Sequence, residues 1–103
     1  MNNVLKINIA KDYSEFPWAR YRQDGDFSGE EFFERFFGHL QKLDKVIIIL
    51  DGTYWYPSSF LSEVFWRFYS KYWTDGWNKL EFVSNEDPSL PGFIYRLIHK
   101  NEA

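Results

Sequence analysis

The feature that most limits the fold of this chain is an uninterrupted aliphatic run near its centre. Val46–Leu50 reads Val-Ile-Ile-Ile-Leu, without the polar–apolar alternation of a strand that has one face in water. Such a run is typical of a central strand in a parallel sheet that is covered on both faces. It is also far too short to cross a bilayer, which takes about 20 apolar residues in a helix. The run therefore predicts a buried sheet in an α/β domain.

Two further segments have the alternation of half-buried strands. Val4–Ile9 and Lys79–Phe82 place apolar and polar residues on opposite sides with period two. The segment Lys11–Phe27 is less regular, since it contains proline, glycine and several charges, and we interpret it as a loop with a short extended piece at Arg20–Arg22.

The first helix is predicted by a capping signal and a stripe of apolar residues. Ser28 can accept a hydrogen bond from the backbone amide of Glu31, which is typical of a helix N-cap. The apolar stripe comprises Phe33, Phe36, Phe37, Leu40 and Leu43. This helix is expected to end near Leu43 or Asp44.

Two more helices follow the aliphatic run. One begins at Ser58 or Ser59 and ends before the turn at Asp75–Gly76, and the other has Pro91 in its first turn. The resulting order is strand, helix, strand, helix, strand, helix. This order predicts one α/β domain over residues 1–103, with right-handed crossovers and at least partly parallel strands.

Composition excludes several classes of function but does not identify one. The formal net charge is −3 and the charges are dispersed, so the chain lacks the basic stripe that holds a phosphate backbone. There are no cysteines, which excludes disulfides, thiolate metal sites and thiol nucleophiles. His39 and His99 lack ligand-like spacing, so no metal or cofactor is expected. Residues 1–10 do not resemble a secretory signal, and we expect a cytoplasmic protein.

Aromatic residues are more abundant than a core of this size can easily bury. The 103 residues include 11 Phe, 7 Tyr and 5 Trp. Some of the rings should therefore lie at the surface, where aromatic patches usually mark a contact site. The candidate interaction surface comprises Tyr54, Trp55, Tyr56, Phe60, Trp66, Tyr69 and Trp73.

Two segments of the chain contain recognisable motifs. Ser58–Phe65 reads Ser-Ser-Phe-Leu-Ser-Glu-Val-Phe. This segment resembles the core motif of a STAS-like family of unknown function, which is related to the STAS domains of bacterial anti-sigma-factor antagonists. Arg20–Phe32 resembles the family's segment of an arginine followed by Ser-Gly-Glu-x-Phe. Gly52 stands six residues before Ser58, a spacing that is common in STAS domains. The likeness covers about residues 18 to 85.

The resemblance implies a fold, a role and a partner. The fold would be a STAS-like sandwich, with a mixed sheet of about four strands and helices packed mainly on one face. The role would be regulatory and non-enzymatic. The partner would be an ATP-binding, histidine-kinase-like regulator that phosphorylates Ser58. Classical antagonists carry an acidic residue directly before that serine, whereas this chain has Pro57.

Each candidate residue also has a purely structural interpretation. One of Ser58 and Ser59 can cap the second helix, while Ser58 is also the candidate phosphoacceptor. Arg20 and Arg22 can bind an anion or pair with neighbouring carboxylates. Asp51 ends a strand, as catalytic acids often do, but it equally suits a turn with the following glycine.

The leading hypothesis is a regulatory module that binds another protein and is not an enzyme. A small phage or mobile-element protein that masks a host factor remains an alternative. Binding of single-stranded nucleic acid through exposed rings is a second alternative, disfavoured by the acidic charge. Exposed aromatic residues also allow a homodimer.

Overall fold

The computed structural model describes residues 3–40 and 44–100. The elements are β1 (Val4–Asn8), α1 (Ile9–Asp12), α2 (Gly29–Phe37), β2 (Lys45–Ile49), α3 (Ser58–Trp77), β3 (Leu80–Val83) and α4 (Leu90–Lys100). The predicted α/β domain is confirmed. The first predicted strand is one residue too long, because Ile9 is buried as the first residue of α1.

The sheet of the described residues has three strands, all parallel, in the order β1-β2-β3. The expected mixed sheet of about four strands is therefore not what forms. No strand arises between α1 and α2, because this segment turns back on itself: the backbone amide of Trp18 donates to the carbonyl of Phe27 at 2.9 Å. Of the extended piece expected at Arg20–Arg22, Tyr21 is extended, whereas Arg22 begins a 3₁₀ turn that runs to Asp24.

The aliphatic run of β2 is buried on one side only. Val46 and Ile48 are almost completely buried, whereas Ile47 and Ile49 are half-buried and lie outside the core. The prediction that both faces of this strand are covered within the domain is therefore wrong for the described residues. The structure leaves one face of the sheet open.

The helices lie against the inner face of the sheet. Phe65 of α3 contacts Phe82 of β3 with ring centroids 5.3 Å apart, and Ile94 and Ile98 of α4 are fully buried beside them. The other buried residues include rings on α2 and α3, namely Phe32, Phe33, Phe37, Phe60 and Phe68. Much of the aromatic surplus is thus absorbed by the core.

Helix α2 ends at Phe37, earlier than its apolar stripe predicts. The Tyr72 hydroxyl donates to the carbonyl of Phe37 and accepts from the amide of Leu40, and Lys71 Nζ donates to the carbonyl of Gly38 at 2.5 Å. Side chains of α3 thus satisfy the end of α2, and Leu40 packs on the core from outside the helix. The predicted member Leu43 lies outside the described residues.

Helix α3 begins at Ser58 as predicted, but it passes the turn expected at Asp75–Gly76 and ends at Trp77. Its path is interrupted at Trp73, whose φ of 57° and ψ of −160° are not helical. Such a conformation is strained for any residue but glycine. Within residues 3–40 and 44–100, no helix combines the length and the apolar character that crossing a membrane requires.

Candidate functional site

Exposed aromatic rings gather on two neighbouring loops at the carboxyl edge of the sheet. The loop after β2 is tied to the loop after α1, because the Tyr54 amide donates to the Glu15 carbonyl at 3.0 Å. The rings of Phe16 and Tyr54 stack at 4.5 Å with an interplanar angle of 4°. Four of the rings are more than half exposed: Tyr54 (71%), Trp55 (65%), Phe16 (62%) and Trp18 (56%). We call these four and Tyr21 the aromatic surface.

Two clefts open within this region, one on each side of Ser58. The first cleft, of about 660 Å³, lies between the loops that follow β2 and β3 and reaches Arg96 of α4. The second cleft, of about 640 Å³, lies between the loop before α2 and the start of α3, and it includes Arg20. Trp55 and Ser58 line both clefts. Ligand sites of parallel α/β folds usually lie at this edge of the sheet.

The start of α3 is not capped by a side chain. Its N-cap residue is Pro57, whose carbonyl accepts from the amide of Leu61 at 3.1 Å but whose side chain offers no acceptor. Ser59 lies inside the helix, so the prediction that it caps α3 is wrong. Ser58 is the first helical residue and is exposed. The predicted cap of α2 is confirmed, since Ser28 Oγ accepts from the Glu31 amide at 3.1 Å.

Asp51 ties two loops together. Its carboxylate accepts from the Glu86 amide at 2.8 Å and from Asn85 Nδ2 at 3.2 Å. These hydrogen bonds, the backbone amide of Glu86 foremost, lower the pKa of Asp51. Glu86 in turn accepts from the amide of Gly52, which has a φ of 96° that favours glycine. The turn interpretation of Asp51 thus extends to a link between the loops after β2 and β3.

The structure divides the predicted interaction surface into three groups. Tyr54, Trp55 and Trp73 are exposed, the last at 67%. Tyr56, Trp66 and Tyr69 are half-buried and pack against the core. Phe60 is fully buried, so its place on the surface is wrong. It follows Ser59 by one residue on α3, and this rotates its side chain towards the core.

Tyr56 contributes to the shape of the loop rather than to its exposed surface. Its hydroxyl donates to the carbonyl of Leu50 at 2.8 Å, and burial raises its pKa. Trp66 and Tyr69 stack on each other at 6.1 Å on the flank of α3. These three rings therefore stabilise the elements beside the site.

Sequence reasoning missed part of the aromatic surface. Phe16, Trp18 and Tyr21 belong to the irregular segment between α1 and α2, which carried no strand or helix pattern. Large apolar residues in a segment rich in charge, proline and glycine were the available signal. Phe27 and Tyr95 are also exposed, at 42% and 52%.

The two arginines of the candidate anion site have separate positions. Arg22 Nη1 lies 2.7 Å from Glu34 Oε2, which favours the structural interpretation for Arg22. Its partner is Glu34 on α2 rather than the nearer carboxylates in sequence. Arg20 lies in the wall of the second cleft, close to the start of α3.

The two segments that carry the STAS-like resemblance pack against each other. A Cβ on Gly29 would lie 2.8 Å from the carbonyl oxygen of Phe60 and 2.9 Å from the Cβ of Glu63, so only glycine fits there without a shift. Burial raises the pKa of Glu63, and the guanidinium of Arg67, whose Nε lies 2.7 Å from Glu63 Oε2, opposes that shift. Gly29 of the one segment and Phe60 and Glu63 of the other thus form a close contact between α2 and α3.

The function of this site has to be inferred from its geometry. Among residues 3–40 and 44–100, no group of three or more His, Asp or Glu side chains is placed to hold a metal ion. Comparison of the chain with models of protein families, with curated proteins and with solved structures found no match.

Proposed function

We propose that this chain is a non-enzymatic, STAS-like regulatory module that binds another protein through the aromatic surface. A phosphate on Ser58 would control that binding. The observation that carries the proposal is the position of the exposed rings, which lie on two loops that meet beside the exposed Ser58 at the start of α3.

The aromatic surface has the composition of a binding hot spot. Tyr and Trp bury a large area with few rotatable bonds, and they dominate the binding energy of protein interfaces. Here Tyr54 and Phe16 are fixed in advance, because the Tyr54 amide donates to the Glu15 carbonyl and the Tyr54 ring stacks on Phe16. A preorganised surface loses less entropy when a partner docks on it.

Ser58 is placed where a phosphate would change docking without unfolding the domain. It is exposed, and the α3 terminus that it begins has no side-chain cap. Helix N-termini favour negative charge, and a phosphoserine carries about −1.5 to −2 charges at neutral pH. Arg20 and Arg96 lie in the walls of the two clefts beside it. The added charge would stand beside Trp55, where an apolar partner group would have to dock.

Charge favours a protein partner over a nucleic acid. The first cleft has three carboxylates, Asp51, Glu86 and Asp87, and one guanidinium, Arg96. A phosphate backbone would be repelled by this excess of negative charge. The exposed rings fit a partner that presents apolar side chains to them. An ATP-binding, histidine-kinase-like regulator is the partner class that the resemblance suggests.

A binding role is also favoured by the state of the groups that could otherwise act in catalysis. A nucleophilic serine needs a general base within hydrogen-bonding distance. Asp51 is a candidate base in the first cleft, but its oxygens accept from the Glu86 amide and from Asn85, and its lowered pKa makes it a weak base.

The test is quantitative affinity capture from the source cells with three forms of the chain. The Tyr54→Ala/Trp55→Ala double variant should lose at least about 30-fold of the captured partner, as expected when hot-spot rings are removed. Trp73→Ala is the matched control, because Trp73 is equally exposed but lies near the other end of α3. If no captured protein distinguishes the double variant from Trp73→Ala, the aromatic surface is not the binding site.

The same capture tests the switch. Ser58→Glu should reduce the captured partner by about tenfold, as expected for a charge placed in an apolar contact. Ser70→Glu, at an exposed position of the same helix, should leave it unchanged. Incubation with ATP and the captured partner should place phosphate on Ser58. Normal binding by Ser58→Glu would reject the switch and leave the binding role intact.

A further inference from the structure

The outer face of the sheet carries a row of three side chains with opposite charges at its two ends. Lys6 of β1, Ile47 of β2 and Glu81 of β3 are aligned across the strands. Their neighbours in sequence, such as Val46 and Phe82, point into the core, so these three point away from it. Ile49 and Val83 form the next row on the same outer face.

Parallel sheets are found almost only with both faces covered, because their strands are apolar on both sides. Only the central strand β2 of this sheet is apolar on both sides. Ile47, Ile49 and Val83 are half-buried and lie outside the core, and the helices of the described residues pack on the opposite face. The outer face therefore has an apolar centre without a layer over it, bordered by the polar side chains of Lys6, Asn8, Lys45 and Glu81.

We propose that a second copy of this chain covers the outer face and forms a two-fold symmetric dimer, sheet against sheet. If the two-fold axis runs along β2, the rotation places Ile47 opposite Ile47 of the partner subunit. The same rotation places Lys6 opposite the partner subunit's Glu81, and Glu81 opposite the partner subunit's Lys6. Both ends of the row are then paired with opposite charges, which is the self-complementarity that an isologous interface requires.

The spacing of packed sheets suits this arrangement. Facing sheets lie about 10 Å apart, a gap that a lysine and a glutamate can close by reaching from opposite sides. Lys45 would approach its own copy near the axis, but its ammonium is already 2.9 Å from Glu81 Oε1. The face is small, below the roughly 800 Å² per partner of a standard interface, so we expect a weak dimer with a Kd on the order of 10–100 µM.

Charge reversal tests the proposed pairing. In sedimentation equilibrium up to about 500 µM, the unmodified chain should show the monomer–dimer equilibrium of a weak interface. Lys6→Glu and Glu81→Lys should each weaken dimerisation by about tenfold or more. Each substitution places like charges opposite each other at both ends of the row in the symmetric dimer. An equimolar mixture of the two variants should restore it, since in a mixed dimer every charged side chain of the row again faces one of opposite charge.

Restoration of the dimer in the mixture would show that the single variants lose a specific contact and are not misfolded. Neither Lys6 nor Glu81 is buried, and unfolding curves of each variant should confirm a folded domain. Lys11→Glu, an equal charge change on the exposed side of α1, is the matched control and should leave self-association unchanged. A chain that stays monomeric throughout, or a mixture that associates no better than the single variants, would overturn the proposal. Neither result would affect the role of the aromatic surface.

Discussion

Helices α2 and α3 each follow a loop and have serine at their start, but the two starts are built differently. At α2, Ser28 is fully buried and its Oγ accepts from the Glu31 amide. The amides of Gly29 and Glu30 donate to the carbonyls of Ala19 and Arg20. The preceding loop therefore satisfies this helix terminus completely enough to seal it from water.

At α3, the corresponding position is occupied by Pro57, which contributes no side-chain acceptor. Ser58 is exposed between two clefts and beside the aromatic surface. The first amides of a helix need acceptors from outside it. The α2 terminus therefore serves to join two parts of the fold, whereas the α3 terminus is open to a partner or a phosphate. Three substitutions at these termini sharpen or break this distinction.

The largest effect is expected for Gly29→Ala, at the contact between α2 and α3. The new Cβ would meet the Phe60 carbonyl at 2.8 Å and the Glu63 Cβ at 2.9 Å, and neither can move without shifting α3. Overpacking of this kind costs about 1–3 kcal/mol in the free energy of unfolding, measured by urea denaturation.

Gly92→Ala is the matched control, because its Cβ would lie no closer than 3.6 Å to Arg96. Gly92 lies in α4, so the substitution should stabilise the chain by about 0.4–1 kcal/mol. Equal effects of the two substitutions would show that the α2–α3 contact is looser than its geometry indicates.

An intermediate effect is expected for Ser28→Ala. Loss of an N-cap hydrogen bond costs about 0.5–2 kcal/mol in the free energy of unfolding. Ser58→Ala, at the terminus without a side-chain cap, should change it by less than about 0.5 kcal/mol. A comparable loss at both serines in thermal unfolding would remove the distinction between the two helix termini.

The smallest effect on the free energy of unfolding is expected for Ser58→Asp, which should stabilise the chain, whereas Gly29→Ala and Ser28→Ala should destabilise it. A carboxylate in the first turn of α3 should stabilise the chain by about 0.3–1 kcal/mol at low ionic strength, through the positive end of the helix. The gain should fade as salt is added, and Ser70→Asp on the same helix should not show it. Destabilisation by Ser58→Asp would mean that Asp51, Glu86 and Asp87 dominate, and it would weigh against a phosphate there.

The sequence predicted most of the secondary structure because its local signals are strong. The α2 cap at Ser28, the start of α3 at Ser58 and the β3 pattern at Leu80 and Phe82 all have their cause within a few residues. Features set by distant contacts were not predictable in this way. The early end of α2 depends on Tyr72 and Lys71 of α3, and no local signal reports them.

In the candidate site, too, local signals predicted some features, whereas distant contacts set the others. The excess of rings predicted that some of them lie at the surface, and Tyr54 and Trp55 do, but Phe60 could not be assigned to the core without the orientation of α3. Phe16 and Trp18 belong to the surface only because the loop after α1 and the loop after β2 are joined by the hydrogen bond from the Tyr54 amide to the Glu15 carbonyl.

Periodicity and composition can be read from neighbouring residues, and they predicted the alternation of strands and helices, the apolar character of β2 and the excess of rings. They could not predict which rings remain exposed or which side of β2 is covered. Both depend on how helices and loops pack over the sheet, and a single aliphatic run is equally apolar whichever of its faces the chain buries.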